Sequence, residues 1–395
     1  MNTIEIEDTY LVNFCEKVPL SIDRGIGSKV WDESGNEYLD FTSGWAVTSL
    51  GYSHPVITAA IVQQSQKIMH NPNSSLTYSP SRAKLLLELV KILPEGMGKM
   101  FFVNSGAEAN DAAMKLARKI TGRKKILSAL KSFHGRTLAT VSATGQAIQR
   151  DRFNVLVSDI EFFNYNDIDN FSECIDNDTA AVMIELIQGE GGVNVAKREF
   201  VDFVVSICKQ KGILLIVDEI QTGFYRTGPA FLIEEFGVKP DFLTMAKGIA
   251  GGFPFGAVAV KSEIAEKIEQ GDHGGTYNGN PLGCAVAAAV INYMVDTDIG
   301  SNVRQNEMTI CTMLKECMAE YPEVIKDVRG KGLLWALEFS NEQYASEVFM
   351  ITQKKGLLLN LKHGTIIRIF PALTVSTEEI INGINIIKKA VGSLR

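Results

Sequence analysis

Between residues 214 and 277 the chain carries an aspartate, a lysine and a glycine-rich turn that could act together on one ligand. Asp218 ends the apolar run LLIVD, Lys247 follows the apolar run DFLTMA, and the turn HGGTYNG comes next. A lysine amine can form a Schiff base with an aldehyde, a carboxylate can keep a pyridine nitrogen protonated, and a Gly-Thr turn offers donors to a phosphate. Because pyridoxal phosphate needs all three groups, this region predicts a pyridoxal-phosphate site.

Asp218 and Lys247 each have a simpler structural explanation. An aspartate at a strand end can cap a turn or a helix, and a lysine can extend its charged end from a buried strand to the surface. A lysine kept in an apolar setting is costly unless its charge is altered or paired, and a Schiff base alters it. Gln221 follows Asp218 closely in the same run and favours the cofactor explanation.

Two more segments follow predicted strands and offer groups for the same ligand. Ser105, Gly106 and Ala107 come after KMFFVN and open a helix, where N–H groups bind phosphate if small residues allow close approach. The same S-x-x-E pattern is also an ordinary capping box. Phe133, after the run KKILSAL, could stack on a flat ring, and Arg136 could hold a carboxylate through two hydrogen bonds. The alternative is a loop with one core phenylalanine and one surface arginine.

A glutamate and a second arginine complete the set of candidate residues. Glu190 lies in the glycine-rich loop QGEGG after the run AAVMIEL, where it could pair with an arginine when the pocket is empty. Arg368 lies in the apolar run TIIRIF. It could bind a carboxylate, or it could simply point outward from an edge strand.

Seven short apolar runs between Lys99 and Val260 alternate with helical stretches. Apolar runs bounded by polar turns are typical of strands buried on both faces, and their alternation with helices predicts an α/β fold with a mostly parallel, doubly wound sheet. The segment SKVWDESGNEYLDF predicts a hairpin near the amino terminus. After Cys284 a long helical segment, the runs GLLWALEF and TIIRIF and a closing helix from Ser376 predict a small α+β domain. We therefore expect an N-terminal arm (1–60) packing with the small domain, a large domain (61–285) and the small domain (286–395).

The composition excludes several classes of function. The net charge is −7 and the chain has no run of five basic residues, which argues against nucleic-acid binding. The acidic start MNTIEIEDTY lacks the apolar core of a signal peptide, and no apolar stretch is long enough to span a bilayer. The six cysteines are scattered without a CxxC motif, as expected of reduced thiols in a cytoplasmic protein. The five histidines show no metal-binding spacing, so we expect no metal.

Taken together, six motifs make the chain resemble the class III pyridoxal-phosphate aminotransferases of fold type I, the ornithine and acetylornithine type. They are NSGAEAN, FHGRT, IQGEGG, VDEIQTGFYRTG, AKGIAGGFPFGA and GGTYNGNPL, in the family's order, within a similarity that covers nearly the whole chain. Within the class, SGAEAN, FHGRT and GEGG are most like the acetylornithine members. The resemblance implies transfer of the terminal amino group of N2-acetyl-L-ornithine to 2-oxoglutarate. The products would be N-acetylglutamate 5-semialdehyde and glutamate, a step of arginine biosynthesis.

The resemblance also implies a role for each cofactor-binding residue. Lys247 would form the Schiff base with pyridoxal phosphate and then move the proton, while Asp218 would pair with the ring nitrogen and Gln221 with the ring oxygen. Phe133 would stack on the ring. The phosphate would be bound by Ser105, Gly106 and Ala107, and by Thr276 from the neighbouring subunit of a homodimer.

For the substrates, the resemblance implies two carboxylate sites. Arg136 would hold the carboxylate of the donor, and Arg368 the α-carboxylate of glutamate or 2-oxoglutarate. Glu190 would act as a switch that covers Arg368 for one substrate and moves for the other. Trp45 departs from the pattern at the substrate entrance, where acetylornithine enzymes usually carry a small aliphatic residue and ornithine enzymes a tyrosine.

Other functions fit the same scaffold. Ornithine, 4-aminobutyrate or a succinylated diamine could be the donor. An epimerase or aminomutase would need no keto-acid acceptor, so dependence on 2-oxoglutarate separates it from an aminotransferase. A cofactor-free binding protein is a third alternative, against which Lys247, Asp218 and Gln221 argue.

Overall fold

The computed structural model of the protein describes residues 1–394, in which helices and strands alternate through most of the chain. The strands are β1 Ile22–Ile26, β2 Lys29–Asp32, β3 Glu37–Asp40, β4 Lys99–Val103, β5 Lys125–Ala129, β6 Ile160–Phe163, β7 Thr179–Ile184, β8 Ile187–Gln188, β9 Asn194–Val195, β10 Leu214–Asp218, β11 Phe242–Met245, β12 Gly256–Val260, β13 Ile325–Lys331, β14 Leu334–Phe339, β15 Leu357–Leu358, β16 Asn360–Lys362 and β17 Ile366–Ile369.

The helices include α2, a single turn whose backbone is left-handed, and several long amphipathic segments. They are α1 Thr3–Tyr10, α2 Ser43–Ala46, α3 Pro55–Ser65, α4 Pro80–Ile92, α5 Gly106–Thr121, α6 Leu138–Ser142, α7 Ala147–Arg150, α8 Ile168–Cys174, α9 Arg198–Lys211, α10 Ile233–Phe236, α11 Ser262–Ala265, α12 Pro281–Asp296, α13 Ile299–Glu320, α14 Glu342–Lys354 and α15 Thr377–Gly392. Short 3-10 helices at Ser74–Leu76 and Lys247–Ala250 complete the set.

The main sheet contains all seven strands predicted from the apolar runs. Its order is β4-β12-β11-β10-β7-β5-β6. β10 is parallel to β7 and β11, and β5 is parallel to β6 and β7, whereas β12 is antiparallel to β11 and β4. Every residue of β5, β7, β10, β11 and β12 is buried, because helices cover both faces of the sheet. The predicted mostly parallel α/β fold is confirmed.

The strand directions bring the chain segments that follow five strands to one edge of this sheet. Because β12 runs opposite to both β11 and β4, β4 points the same way as β11, β10, β7 and β5. The carboxyl ends of β4, β5, β7, β10 and β11 therefore meet at this edge. Ligands in open α/β sheets bind at such an edge.

A second sheet, with the order β13-β14-β17-β16, follows in the C-terminal part of the chain. The strands predicted in GLLWALEF and TIIRIF are β14 and β17. The predicted Ser376 is the N-cap residue of α15, and its side chain forms a capping box with Glu379. β13 was missed because its run IKDVRGK is mostly charged and only Ile325 and Val328 are buried. β17 lies between β14 and β16, so Arg368 is on an interior strand of this sheet rather than on an edge strand.

The N-terminal segment joins the C-terminal part through a third sheet. β2 and β3 form the predicted hairpin, and β15 adds to β3 in parallel through Leu357 opposite Leu39. The predicted domain borders after residues 60 and 285 fall within α3 and α12, and the division remains a prediction. None of the helices in residues 1–394 is by itself long and apolar enough to cross a membrane; α12 and α13 reach that length and composition only together, across a 67° bend.

Candidate active site

A cavity of about 320 Å³ opens at the edge where β4, β5, β7, β10 and β11 end. Its walls come from the segments that follow β4, β5, β7, β10 and β11, which supply Ser105, Phe133, Glu185, Asp218 and Lys247. These residues are far apart in sequence, and the sheet topology alone brings them together. Most of the predicted cofactor-binding residues therefore share one pocket.

Asp218 ends β10 and is almost completely buried, at 4% exposure. Its Oδ2 accepts hydrogen bonds from Asn110 Nδ2 and from His134 Nδ1, both at 2.8 Å. Its Oδ1 accepts the backbone N–H of Ile220 at 3.0 Å. These bonds fix the carboxylate in one orientation, and the bond to Asp218 places a proton on Nδ1 of His134. The carboxylate is thus held ready for a cationic partner in the cavity.

Lys247 also faces the cavity, where its Nζ donates a hydrogen bond to Gln221 Oε1. The alternative, in which the Lys247 side chain extends to the protein surface, is therefore wrong. β11 ends at Met245, and Lys247 begins the 3-10 helix with a φ of +46°, a conformation that non-glycine residues adopt only under strain. Burial lowers the pKa of Lys247, and the nearby carboxylates of Glu190 and Asp218 oppose that effect. The lysine amine is therefore more easily deprotonated than in water.

The start of α5 forms the wall of the cavity beside β10. Ser105 is the N-cap residue, and its hydroxyl accepts the N–H of Glu108 at 3.2 Å. The Glu108 carboxylate bonds the backbone N–H of Asn104 instead of closing the capping box on Ser105. A Cβ on Gly106 would lie 2.6 Å from Cδ1 of Ile220, so a larger residue here would require the Ile220 side chain to shift. The N–H groups of Gly106 and Ala107 have no acceptor within the helix and can bind an anion.

Of Phe133, Arg136 and Thr276, only Phe133 lines the cavity. Phe133 is half-buried in the cavity wall, and its N–H donates to Glu185 at 3.1 Å. Arg136 is exposed, with its guanidinium carbon 5.9 Å from the centre of the Phe133 ring. Thr276 is exposed and lies outside the residues that line the cavity of its own chain. One chain therefore brings Phe133 to the site, places Arg136 near it, and leaves Thr276 apart.

Glu190 is held between two cations. Its Oε1 lies 2.7 Å from Nη1 of Arg368 on β17, and its Oε2 lies 2.9 Å from Nζ of Lys362 on β16. Although burial opposes ionisation, the charges of Arg368 and Lys362 lower the pKa of Glu190 to about 2. Glu190 lines the cavity and covers both cations. The predicted pairing of Glu190 with an arginine is present in the structure.

Arg368 is fully buried, so the outward-pointing alternative is wrong. Asn360 Oδ1 accepts from its Nε at 2.8 Å and its Nη2 at 2.6 Å, and the carbonyl of Gly189 accepts from Nη1 at 2.9 Å. Its guanidinium carbon lies 5.3 Å from the ring centre of Trp45 and 5.1 Å from that of Phe370. The guanidinium is therefore rigidly oriented, with Glu190 between it and the cavity.

Trp45 reaches Arg368 because α2 is left-handed. Ser43, Gly44, Trp45 and Ala46 all have positive φ, from +35° to +68°. Such a run is strained for residues with a Cβ, and strain of this kind concentrates at functional sites. Trp45 is half exposed and its ring covers part of the Arg368 side chain.

Four residues of the site were not predicted from the sequence: Asn110, His134, Glu185 and Lys362. Asn110 and His134 lie inside the motifs NSGAEAN and FHGRT, and these motifs indicated that both residues lie near the site. Their hydrogen bonds to Asp218 were not predictable. Glu185 is buried beside Asp218, and burial together with the Asp218 charge raises its pKa well above the ordinary value. Lys362 lies in no motif, and only the folding of β16 beside β17 brings it to Glu190.

Comparison with known proteins agrees with this geometry. The family model for class III aminotransferases matches residues 13–391. The acetylornithine aminotransferase of Methanothermobacter thermautotrophicus is 38% identical over 391 residues, which is 99% of this chain and 98% of that protein.

The chain is a class III aminotransferase.

Solved structures support the fold of this aminotransferase as well. The ornithine aminotransferase from Toxoplasma gondii matches with a TM-score of 0.93 at 29% identity, over 99% of this chain and 94% of that one. The acetylornithine aminotransferase from Elizabethkingia anophelis matches with a TM-score of 0.87 at 30% identity, over 99% and 98% of the two chains.

Pyridoxal phosphate is the cofactor of class III aminotransferases, and the cavity fits it. The aminotransferase offers a lysine amine, a fixed buried carboxylate and a helix N-terminus around one space. Among residues 1–394, the buried atoms Gln221 Nε2 and His134 Nε2 have no hydrogen-bond partner. Buried polar atoms are rarely left unpaired in proteins, and a polar ring and phosphate are the kind of ligand that such a cavity accepts.

Proposed function

We propose that this aminotransferase moves the terminal amino group of N2-acetyl-L-ornithine to 2-oxoglutarate, giving N-acetylglutamate 5-semialdehyde and glutamate, in arginine biosynthesis. The Glu190–Arg368 ion pair carries the proposal. A donor that reacts through its terminal amine places no carboxylate at Arg368, so the pair stays closed. Glutamate and 2-oxoglutarate carry a carboxylate beside the reacting carbon, and that carboxylate displaces Glu190. Relatives named acetylornithine aminotransferase, at 37–39% identity, support the choice of donor.

The residues around the cofactor divide the work between binding and proton transfer. When bound, pyridoxal phosphate supplies an electron-withdrawing ring that stabilises negative charge on the substrate carbon. Asp218, oriented by Asn110 and His134, would hold the proton on the ring nitrogen. Lys247 would hold the cofactor at rest, and its amine, once free, would remove the proton from the substrate carbon that bears the reacting amine. Gln221, which bonds Lys247 in the structure, would bond the ring oxygen.

The remaining predicted residues bind the ends of the ligands. The N–H groups of Gly106 and Ala107, with the Ser105 hydroxyl, would bind the phosphate, and the Phe133 ring would stack on the cofactor. Arg136, which is exposed beside the Phe133 ring, would hold the carboxylate of the donor.

A homodimer completes the phosphate site in this proposal. Thr276 is exposed, and its carbonyl accepts a hydrogen bond from Ser74. The neighbouring side chains Leu76, Tyr78 and Tyr277 are 87%, 102% and 65% exposed, which is typical of a surface that another subunit covers. We infer that this surface is the subunit contact and that Thr276 reaches the phosphate in the neighbouring site. The cytoplasmic location and the division into an arm, a large and a small domain belong to the same proposal.

Ornithine is the second candidate donor, and Trp45 is the observation that favours it. In the resemblance described above, the position of Trp45 carries an aromatic residue in the ornithine enzymes. Its ring lies over Arg368, with the guanidinium carbon 5.3 Å from the ring centre. N-acetylornithine nevertheless remains the first choice because the relatives so named align over nearly the whole chain.

The test is an absorption spectrum of the cofactor-loaded enzyme during addition of N-acetylornithine, with no keto acid present. We expect the visible absorption of the cofactor to bleach and to return when 2-oxoglutarate is added. If only ornithine or 4-aminobutyrate bleached the enzyme, that compound and not N-acetylornithine would be the donor. Recovery of the visible absorption without any keto acid would contradict an aminotransferase of this type.

A further inference from the structure

The carboxylate site behind Glu190 contains two cations and one carboxylate. Arg368 is fully buried, while the Lys362 side chain is 19% exposed at the end of β16. The Glu190 carboxylate gives one oxygen to each of them. At rest the site therefore carries an excess positive charge that Glu190 does not neutralise.

The charge balance changes when a second carboxylate arrives. Two carboxylates facing two cations are balanced, whereas two carboxylates facing Arg368 alone would leave a negative charge in a largely buried site, which is costly. If Glu190 left Arg368 without keeping a cation, its own carboxylate would be the unpaired charge. Lys362 has a flexible four-carbon stem and can follow a carboxylate that moves, whereas the guanidinium of Arg368 is fixed by Asn360 and Gly189.

We propose that Lys362 is a specificity-determining positioning residue that keeps Glu190 paired while Arg368 binds the carboxylate of a dicarboxylic substrate. The proposal rests on the function proposed above and adds a second position for the switch. Glu190 moves from a site shared by Arg368 and Lys362 to Lys362 alone. Lys362 thus lowers the cost of binding glutamate or 2-oxoglutarate and has a smaller effect on a donor that leaves Glu190 in place.

The backbone around the switch favours this movement of side chains over movement of the loop. His363 Nε2 bonds the carbonyl of Glu190 at 2.8 Å, and Arg329 Nε donates to the carbonyl of Gly192 at 2.8 Å. Both bonds hold the loop backbone on the second sheet. The Glu190 side chain can therefore turn about its own bonds while the loop stays in place.

The test compares Lys362→Met with Lys362→Arg and with Lys354→Met. Lys354 is an exposed lysine at the end of α14, so its variant loses the same charge away from Glu190. Glutarate is the probe, because it has two carboxylates and no amino or keto group to react, and calorimetry on the cofactor-loaded enzyme gives its dissociation constant. We expect Lys362→Met to weaken glutarate binding about five- to tenfold, between the effects of exposed and buried charge pairs. Lys362→Arg should recover most of the loss, and Lys354→Met should resemble the wild type.

A kinetic measurement on the same samples separates a switch from a general loss of structure. The second-order rate constants for bleaching by glutamate and by N-acetylornithine are measured separately, and Lys362→Met should lower their ratio about five- to tenfold. An unchanged ratio would overturn the proposal, because Lys362 would then have no role in the switch. Tighter glutarate binding would also overturn it, because Lys362 would then hold Glu190 in place against Arg368. If the wild type neither binds glutarate nor reacts with glutamate, the proposed function itself fails. If it does both and Lys362→Met matches Lys354→Met, only the role of Lys362 fails.

Discussion

Replacing Glu190 by glutamine tests the switch most directly. The substitution keeps the shape of the side chain and removes the charge that competes with a substrate carboxylate for Arg368. In the proposed mechanism a dicarboxylate must displace Glu190 before it can bind. Glu190→Gln should therefore bind glutarate more tightly than the wild type.

The pKa of Glu190 sets the scale of this effect. Lowering the pKa from 4.5 to about 2 corresponds to about 3 kcal/mol in favour of the ionised carboxylate, at about 1.4 kcal/mol for each pH unit. This is an upper bound, because burial also lowers the pKa of Arg368, so part of the gain offsets the cost of burying that cation. We expect the dissociation constant of glutarate to fall by about 10- to 100-fold.

The assay is calorimetric titration of the cofactor-loaded enzyme with glutarate, followed by the bleaching rates with glutamate and N-acetylornithine. The rate constant for glutamate should rise relative to that for N-acetylornithine, because α-amines gain access to Arg368. Glu199→Gln is the control, since Glu199 is an exposed glutamate at the start of α9. Glutarate binding that is unchanged or weaker in Glu190→Gln would refute the reasoning, because Glu190 would then not compete for Arg368.

Three further predictions follow from particular contacts. Lys247→Ala should still bind pyridoxal phosphate but lose turnover by orders of magnitude, and near-normal turnover in a steady-state assay would remove Lys247 from the mechanism. Gly383→Ala should lower the free energy of unfolding by a net of about 1–2 kcal/mol, because overpacking at so close a contact costs about 2–3 kcal/mol and the gain in helix propensity offsets about 1 kcal/mol of it. The reason is that the new Cβ would lie 2.3 Å from the ring of the fully buried Phe41. Denaturant unfolding measures the change. An unchanged midpoint would contradict the prediction, because the Phe41 ring would then move aside without cost. Because the pKa of Glu190 is lower in the folded protein, its contribution to stability is complete above about pH 4.5 and is lost as the pH falls towards 2. The difference in unfolding free energy between the wild type and Glu190→Gln should shrink over that range, and a constant difference would contradict the assigned ion pair.

The fold was predictable because its signals are local. Each strand of the main sheet is a short apolar run between polar turns, and a strand buried on both faces requires such a run. β13 escaped prediction because one of its faces is charged, so its run lacks that signal. The N-cap at Ser105 and the helix start at Ser376 were also predictable, since each depends on residues within one turn.

The sequence by itself determined which chemical groups the protein has: a lysine and an aspartate for pyridoxal phosphate, two arginines for carboxylates, and a glutamate in a glycine-rich loop. Only the tertiary structure decided which of them meet. Asn110 bonds Asp218 across 108 residues and His363 bonds the Glu190 carbonyl across 173, and no local pattern records such contacts. Lys362 shows this most clearly, because an isolated lysine in a polar hairpin is an ordinary surface residue until β16 folds beside β17 and places it against Glu190. The residue type defines the chemistry of a side chain, whereas the pairing of charges depends on distances that only the packed sheets define.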